Sequence, residues 1–354
     1  MTELPPGSTI GILGGGQLGR MLAVAASRLG FHTHVYDPDP TAPAGQIARL
    51  TSAPYDDIAA LSAFAESVDV ITYEFENIPT AALDALAALR PIHPNRRALA
   101  TSQDRITEKD FLNHLGLQTA PYAAVGSLPD LTAAIATIGT PAILKTTRFG
   151  YDGKGQARIM TPDDAPAAWD AMQAAPSVLE GFIPFTHEVS VIAARAQDGA
   201  VACYDPGENV HEGGILRTTT VPARLSPGQR TDAVLIAARI LNALEYVGVL
   251  GVELFVTPAG LIVNEIAPRV HNSGHWTQNG CAVDQFEQHI RAVAGWPLGD
   301  GSRHSDVVME NLIGDDISRL PTLLRAGQTA VHMYGKAVAR PGRKMGHINR
   351  MTAR

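Results

Sequence analysis

The sequence predicts an α/β chain that becomes α+β in its middle and closes on a small β-rich unit. Three observations predict it. Residues 8–37 run as apolar strand, glycine turn, Ala/Leu-rich helix, second strand and acid. From Ala142 to Glu265, apolar strands end on charged side chains and are separated by Gly- and Pro-containing turns. Short strands around one short helix return in the last fifty residues. A chain of 354 residues is too long for one ordinary core, so two or three units are expected. Their expected limits are 1–100, 101–298 (with a smaller subdomain at about 105–185) and 299–354.

Composition narrows the class. Hydrophobic residues at 45% and charged residues at 18% give the profile expected of a soluble globular protein. A net charge of −7 argues against a general nucleic-acid or anionic-membrane binder, so any phosphate-binding cations must be local. Cys203 and Cys281 form no CxxC pair, as expected in a reducing cytosol. The opening M-T-E-L-P-P-G has no basic leader, and no apolar run spans a bilayer. A cytoplasmic location is the expectation.

Ser8–Leu13 is a strand that enters Gly14-Gly15-Gly16-Gln17-Leu18-Gly19, followed by a helix over Arg20–Leu29 and a strand over Phe31–Tyr36 ending at Asp37. This is the G-x-G-x-x-G pattern of a dinucleotide fold, and a nicotinamide dehydrogenase is one reading. It also needs a hydride-transfer site, which the downstream residues do not offer. The glycine turn with a helix N-terminus can instead hold another phosphate, such as that of a sugar phosphate. Asp69–Phe75 is a further strand, with Glu74 and Glu76 at the end where ligands of open α/β sheets sit. Pro79 opens a helix over Thr80–Leu89.

In the middle unit, Ser102-Gln103-Asp104-Arg105 precedes a helix over Ile106–Leu115, and a second helix covers Asp130–Ile138. The strand Ala142–Lys145 ends on a lysine whose ammonium would project from a buried stem. Thr146 to Gln156 then reads T-T-R-F-G-Y-D-G-K-G-Q. Glycine amides folded over a triphosphate, with lysine as point charge, fit this composition; no Walker GK[ST] follows. V-L-E-G-F ends a strand at Glu180, and Glu188 lies in T-H-E-V-S-V, the pattern for holding adenine and ribose, with an edge-strand charge the equal alternative for each Glu taken alone. Asn209–Leu216 reads as a polar turn, with His211 either a nucleotide contact or a plain loop histidine and Gly213-Gly214 marking close backbone approach. Pro227–Leu244 is an amphipathic helix whose core face carries Ala237, Ile240, Leu241 and Leu244.

Val249–Val256 and Leu261–Val263 flank a Pro258/Gly260 turn and form a hairpin. Neighbouring strands then set Glu253 beside Asn264 and Glu265. Carboxylates in an apolar strand are costly unless a cation sits against them, and these oxygen donors suit Mg²⁺. An acidic solvated face is the plain alternative. The next residues decide between the two. Arg269, His271, Asn272, Ser273, His275 and Trp276 crowd one loop, poor core material and a fit to phosphate and a second anion. Beyond a Gly295–Asp300 linker come strands at Val307–Ile313, Thr329–Tyr334 and Ala337–Ala339, with Lys336, Arg343 and Lys344 beside the last.

The order of these parts, from G-x-G-Q-L-G-R-M through D-R, A-I-L-K, G-Y-D-G-K-G-Q and E-G-F to N-E-I-A-P-R-x-H-N-S-G-H-W-T and Y-G-K-A-x-A-R-P-G-R-K-M-G-H-I, resembles the ATP-grasp superfamily. Within it the chain is similar to the 5-(carboxyamino)imidazole ribonucleotide synthases of purine biosynthesis. The likeness runs from residue 8 to Ile348, and the chain ends soon afterwards. It implies an ATP-grasp fold with an N-terminal Rossmann-like pre-ATP-grasp domain and a small C-terminal β-rich domain. The implied reaction takes ATP, bicarbonate and 5-aminoimidazole ribonucleotide to the carboxylated nucleotide, ADP and phosphate through carboxyphosphate.

By the same resemblance, ATP is held by Arg105, Lys145, Gly150, Tyr151, Asp152, Gly153, Lys154, Gly155, Gln156, Glu180, Gly181, Phe182, Ile183, Glu188, His211, Asn264 and Glu265. Glu253 and Glu265 ligate Mg²⁺, as two ions, with Mn²⁺ a substitute. Gln17, Leu18, Glu76, Tyr151, Asp152, Arg269, His271, Asn272, Ser273, Lys336 and Arg343 bind the ribonucleotide and the carboxylate in transfer. Tyr151, Asp152, Arg269 and Lys336 are the implied catalytic residues. A homodimer, and a functional link to the mutase that consumes the labile product, are implied too. Physical chemistry agrees with the division: phosphoryl transfer needs charge neutralisation and alignment, and a labile intermediate needs shielding from water, for which the loop from Gly150 to Gly155 is the expected lid. Three rivals differ in readout. A formate-activating ATP-grasp enzyme would depend on formate, a dehydrogenase on a nicotinamide, and an inactive regulator would bind ATP without turnover.

Overall fold

The computed structural model describes residues 3–150 and 155–353. The N-terminal layer comprises β1 (Thr9–Leu13), α1 (Gln17–Arg28), β2 (His32–Tyr36), β3 (Arg49–Thr51), α2 (Ile58–Glu66), β4 (Val70–Tyr73) and α3 (Thr80–Ala87). Its strands are parallel in the order β3-β2-β1-β4. Ile10, Ile12 and Leu13 are fully buried, as expected when helices cover both faces of a parallel sheet. Leu22 and Ala26 of α1 join Ile10 and Ile12 on one face; Phe64 of α2 and Leu83 of α3 join Leu13 and Ile71 on the other. The first helix starts at Gln17, three residues before the expected Arg20, because Gly14 at φ +98° completes the turn early.

A smaller unit follows α4 (Arg96–Ser102) and α5 (Arg105–His114). It contains β5 (Tyr122–Val125), α6 (Leu128–Ile138), β6 (Ala142–Thr146), β7 (Gln156–Ile159), α7 (Ala165–Ala171) and β8 (Ser177–Gly181). These strands form an antiparallel sheet, order β5-β8-β6-β7, packed on α6 and α7 through Leu131, Ile135, Leu144, Ala168 and Leu179. Local chemistry sets the helix limits. Asp104 accepts the Ile106 and Thr107 N–H groups at the start of α5, Ser127 accepts from Asp130 at α6, and Gly139 at φ +88° stops α6.

The large unit contains β9 (His187–Arg195), β10 (Val201–Cys203), β11 (Gly207–Glu212), β12 (Ile215–Val221), α8 (Pro227–Ala243), β13 (Gly248–Thr257) and β14 (Gly260–Ala267). It continues with α9 (Thr277–Gly280), α10 (Gln285–Val293), β15 (Ser305–Ile313), α11 (Leu320–Leu323), β16 (Thr329–Met333) and β17 (Lys344–Ala353). The strands form one antiparallel sheet in the order β14-β13-β9-β11-β12-β15-β17-β16, with β10 paired to β9. The C-terminal strands thus extend the central sheet through β12. Helix α8 buries Ala237, Ile240 and Leu241 against that sheet as its periodicity predicts, and Leu244 just beyond its end is buried with them.

Three expectations are corrected. Asn209–Leu216 is not a turn: β11 and β12 pair through it, and only Gly213-Gly214, at φ +59° and +81°, form the reversal. A side chain at Gly213 would meet nothing, so the Gly pair serves backbone conformation rather than close approach. Residues 337–339 are not a strand; the last strand is β17, whose motif residues His347 and Ile348 are fully buried. The loop after β14 is not solvent-facing throughout. Asn272, Ser273, His275 and Trp276 are buried, and side chains from elsewhere pair with two of them: Asn272 with Asn311, and His275 Nδ1 with Gln285 at 3.0 Å, while His275 Nε2 has no partner among the described residues.

Candidate active site

Strand register builds the centre. Glu253 on β13 stands directly opposite Glu265 on β14, at a register shift between Glu253 and Leu254. Strand β14 runs past Val263 to Ala267, so the acidic pair lies within the paired strands, beside the irregularity rather than at a free end. Asn264 Nδ2 donates to Glu253 Oε2 at 3.4 Å, and His271 Nε2 lies 3.4 Å from Glu253 Oε1. Arg105 Nη1 lies 3.0 Å from Glu265 Oε2. The two carboxylates are driven apart in acidity. Burial, then the charge of Glu265, pushes Glu253 up to about 7, against His211. Burial would also raise Glu265, but Arg105, Lys145 and Lys109 overcome it and hold it below the usual carboxylate range.

The donors fit a hard divalent cation. Among the described residues no cluster of three or more His, Cys, Asp or Glu side chains forms a self-sufficient metal cage. Mg²⁺ ordinarily takes one or two carboxylates and completes its shell with water and substrate phosphates, and the Glu253–Glu265 pair offers that number. Two facing carboxylates that repel each other are also what a cation would relieve.

A cationic wall faces the pair. Lys145 Nζ on β6 lies 2.9 Å from Glu180 Oε2 on β8, and Lys109 Nζ lies 3.3 Å from Glu180 Oε1. Glu180 is 4% exposed; the two lysines and Arg105 hold it below the usual range although burial opposes them. Glu180 thus orients two lysines, in addition to the ribose contact expected of it. Gly181, Phe182 and Ile183 lead from the small sheet to β9, with Phe182 half exposed. Glu188 Oε2 lies 3.0 Å from His211 Nδ1, and this bond with Glu253 raises the imidazole's affinity for protons against burial. The Gly150 carbonyl accepts from Arg105 Nη2 at 3.4 Å, and Gly155 precedes Gln156, the first residue of β7. Tyr151, Asp152, Gly153 and Lys154 lie outside the described residues.

Toward the N-terminal layer, Arg269 Nε donates to Glu76 Oε2 at 2.9 Å and Nη1 to the Val270 carbonyl. A cleft between these groups is lined by Glu76, Gln103, Arg105, Glu108, Glu265 and Arg269. His271 is held neutral, far below its ordinary value, by burial and then by Arg269; its Nδ1 pairs with Ser273 Oγ at 2.7 Å. Asn272 and Ser273 are buried behind it, Ser273 bonded to Ser190. Lys336 Nζ reaches Gln17 Oε1 and the Lys344 carbonyl, joining the C-terminal segment to the glycine turn. Leu18 is buried in α1, and Arg343 donates to the Val338 carbonyl at 3.0 Å. The glycine turn is not an open phosphate cradle. Gly15 N–H donates to Asp37 Oδ2 at 2.6 Å and Gly16 N–H to Glu74 Oε1 at 2.8 Å, so two carboxylates already occupy these amides.

Sequence reasoning missed Lys109, Glu108 and Gln103. Lys109 stands four residues after Arg105 on one face of α5, and that i,i+4 spacing was the available signal. Glu108 offered none, since its role appears only when Ile266 N–H donates to its Oε1 at 2.6 Å. Burial, then Glu265, pushes the Glu108 carboxyl up to about 8 from an ordinary 4.5, against the Ile266 amide, Arg105 and Lys109. A carboxyl raised by folding keeps a proton that the unfolded chain releases. Stability therefore falls as pH rises from about 4.5 to about 8 and is level above that. Glu108→Gln is expected to flatten this decline by up to a few kcal/mol, read from urea unfolding across the range. An unchanged slope would refute the assignment.

A large antiparallel sheet and a small one, with a lysine wall facing paired carboxylates at the hairpin, define an ATP-grasp enzyme. The ATP-grasp domain family matches residues 110–286, the ribonucleotide synthetase preATP-grasp domain residues 7–103, and the phosphoribosylaminoimidazole carboxylase C-terminal domain residues 307–354. The chain is 55% identical to N5-carboxyaminoimidazole ribonucleotide synthase of Brucella melitensis biotype 1, over 100% of this chain and 99% of that one. It superposes on the ADP complex of an N5-carboxyaminoimidazole ribonucleotide synthetase with a TM-score of 0.96 at 42% identity, covering 99% and 94% of the two chains. The Aspergillus clavatus synthase in complex with ADP and 5-aminoimidazole ribonucleotide gives 0.92 at 32% identity, covering 98% and 94%. The chain belongs to the N5-carboxyaminoimidazole ribonucleotide synthase family of ATP-dependent ligases.

Proposed function

We propose that this enzyme carboxylates the exocyclic amine of 5-aminoimidazole ribonucleotide with bicarbonate, consuming ATP and releasing ADP and phosphate. The observation that carries the reading is the register of Glu253 against Glu265, with Arg105 on one side and Arg269–Glu76 on the other. Lys145, Lys109 and Arg105 neutralise the phosphates, while the segment from Gly181 to Ile183, Glu188 and His211 holds the nucleoside. Glu253 and Glu265 would hold magnesium, which would supply charge neutralisation for phosphoryl transfer; two ions, or Mn²⁺ in their place, belong to the same reading.

Bicarbonate oxygen takes the γ-phosphoryl group, giving carboxyphosphate and ADP. The amine nitrogen then bonds the carbonyl carbon, the carbon–oxygen bond to phosphate breaks, and the amine loses a proton. Arg269 is suited to the planar carboxylate because its guanidinium presents a fork of donors and stays charged. Lys336, Gln17, Arg343 and His271 serve the ribonucleotide side, and Tyr151 and Asp152 enter this reading by resemblance. Division at residues 100 and 298, a homodimer, a cytoplasmic location and a link to a product-consuming mutase belong to the proposal as well. Among the described residues no helix is long and apolar enough to cross a membrane.

ADP release is the test. It should require bicarbonate, rise with 5-aminoimidazole ribonucleotide, and yield carboxylated product in step with ADP. Formate supporting turnover in place of bicarbonate, or product forming without ATP, would overturn the proposal.

A further inference from the structure

The nucleotide side and the transfer side of the cleft belong to different layers, and one amide joins them. Gln103 ends α4 at the junction between the layers and is 6% exposed. Its backbone N–H donates to the Leu99 carbonyl at 3.0 Å, which ties it to the helix. Its side-chain nitrogen donates to the Glu76 carbonyl at 2.8 Å and the Ile78 carbonyl at 2.7 Å. Its side-chain oxygen accepts from Arg148 Nη2 at 2.8 Å. Both amide donors and the acceptor are used. A flipped amide would set oxygen against two carbonyls and nitrogen against a guanidinium, so the surroundings allow one orientation.

Each end of this joint reaches a wall of the cleft. Arg148 follows β6, and the same segment is tied to α5 because Arg105 N–H donates to the Thr147 carbonyl at 3.0 Å. Glu76, whose carbonyl Gln103 holds, uses its carboxylate to orient Arg269 at 2.9 Å. The line Arg148, Gln103, Glu76, Arg269 therefore connects the segment after the phosphate-side strand to the guanidinium on the transfer side.

We infer that Gln103 is a positioning residue that holds the phosphate-side segment in register with Arg269, so that carboxyphosphate is captured by the amine rather than by water. The inference rests on the functional reading above. In productive transfer the amine nitrogen displaces phosphate from the carbonyl carbon and gives up a proton. Water attacking the same carbon instead returns bicarbonate and phosphate, so ATP is spent without product. A displacement of about an ångström between the two walls is enough to favour the second outcome, since misplacement of that size costs up to about 10²-fold in rate.

The experiment measures carboxylated nucleotide formed per ADP released in the wild type, Gln103→Met, Arg148→Ala and the double variant. Methionine keeps the volume and removes all three side-chain hydrogen bonds. Expected for Gln103→Met is a fall of about tenfold in product per ADP with an unchanged KM for ATP. Arg148→Ala should lower the ratio too, and in the double variant the second substitution should add nothing. A packing role alone would leave Gln103→Met coupled like the wild type, and that result overturns the inference. Fully additive losses overturn it as well. If Gln103→Met fails to fold, Arg148→Ala, an exposed substitution, carries the test by its own ratio. A wild type that makes no carboxylated product overturns the functional reading and this inference together; a coupled wild type with a coupled Gln103→Met overturns the inference alone.

Discussion

Glu265→Gln is expected to lower ATP turnover by about 10³-fold or more, the scale on which preorganised charge at a transferring phosphoryl group acts. Glu265 is the member of the carboxylate pair held ionised at neutral pH, since Arg105, Lys145 and Lys109 outweigh its burial. Glutamine keeps the shape and one acceptor oxygen but removes the charge, leaving Arg105 with no ion-pair partner at 3.0 Å. Glu253→Gln removes the other oxygen donor, and a loss in the same direction is expected. ADP release at saturating ATP, measured across a magnesium titration, gives the effect. A melting curve alongside separates a lost site from a lost fold. Turnover near the wild-type rate in either variant would move the metal and phosphate chemistry away from this hairpin.

Arg269→Lys should lower kcat/KM for carboxylation by about 10²-fold while the fold survives. The guanidinium donates sideways to Glu76 through Nε and to the Val270 carbonyl through Nη1, an arrangement that aims the remaining donors into the cleft. An ammonium can match the charge but not the fork, and pairing with Glu76 would use the donor needed for the carboxylate. ATP turnover should fall less than product formation, because the lysine wall proposed to meet the phosphates is separate from Arg269. Equal losses in both, or none in either, would contradict the assigned division of labour.

Much of the site was legible because it is written in short local patterns. The strands around Glu253 and Glu265 follow from apolar runs broken at Pro258 and Gly260, and a two-strand hairpin leaves few registers that set two acids opposite each other. The glycine turn and α1 were legible for the same reason, although the partners of its amides were not: Glu74 lies 58 residues from Gly16. Asn272 and His275 misled for a related reason. Polar residues in a row read as a solvent loop, yet Asn311 and Gln285 arrive from later elements and pair with Asn272 and with His275 Nδ1 in the interior. Strand β17 was missed because Gly346, His347 and Asn349 lack a strand's composition, and pairing on both edges with β15 and β16 holds them there.

The amino-acid order by itself determined most of the strands and helices before the last unit, which short motifs carry charge, and to which family the chain belongs. These depend on periodicity, capping and turn chemistry within a dozen or so residues. Tertiary structure alone decided that Lys336 meets Gln17, that Glu108 lies under Ile266, and that Gln103 joins Glu76 to Arg148. It also decided the acidity of each carboxylate at the hairpin. A pairing between groups distant in sequence, and the dielectric around them, exist only once the layers have closed on one another.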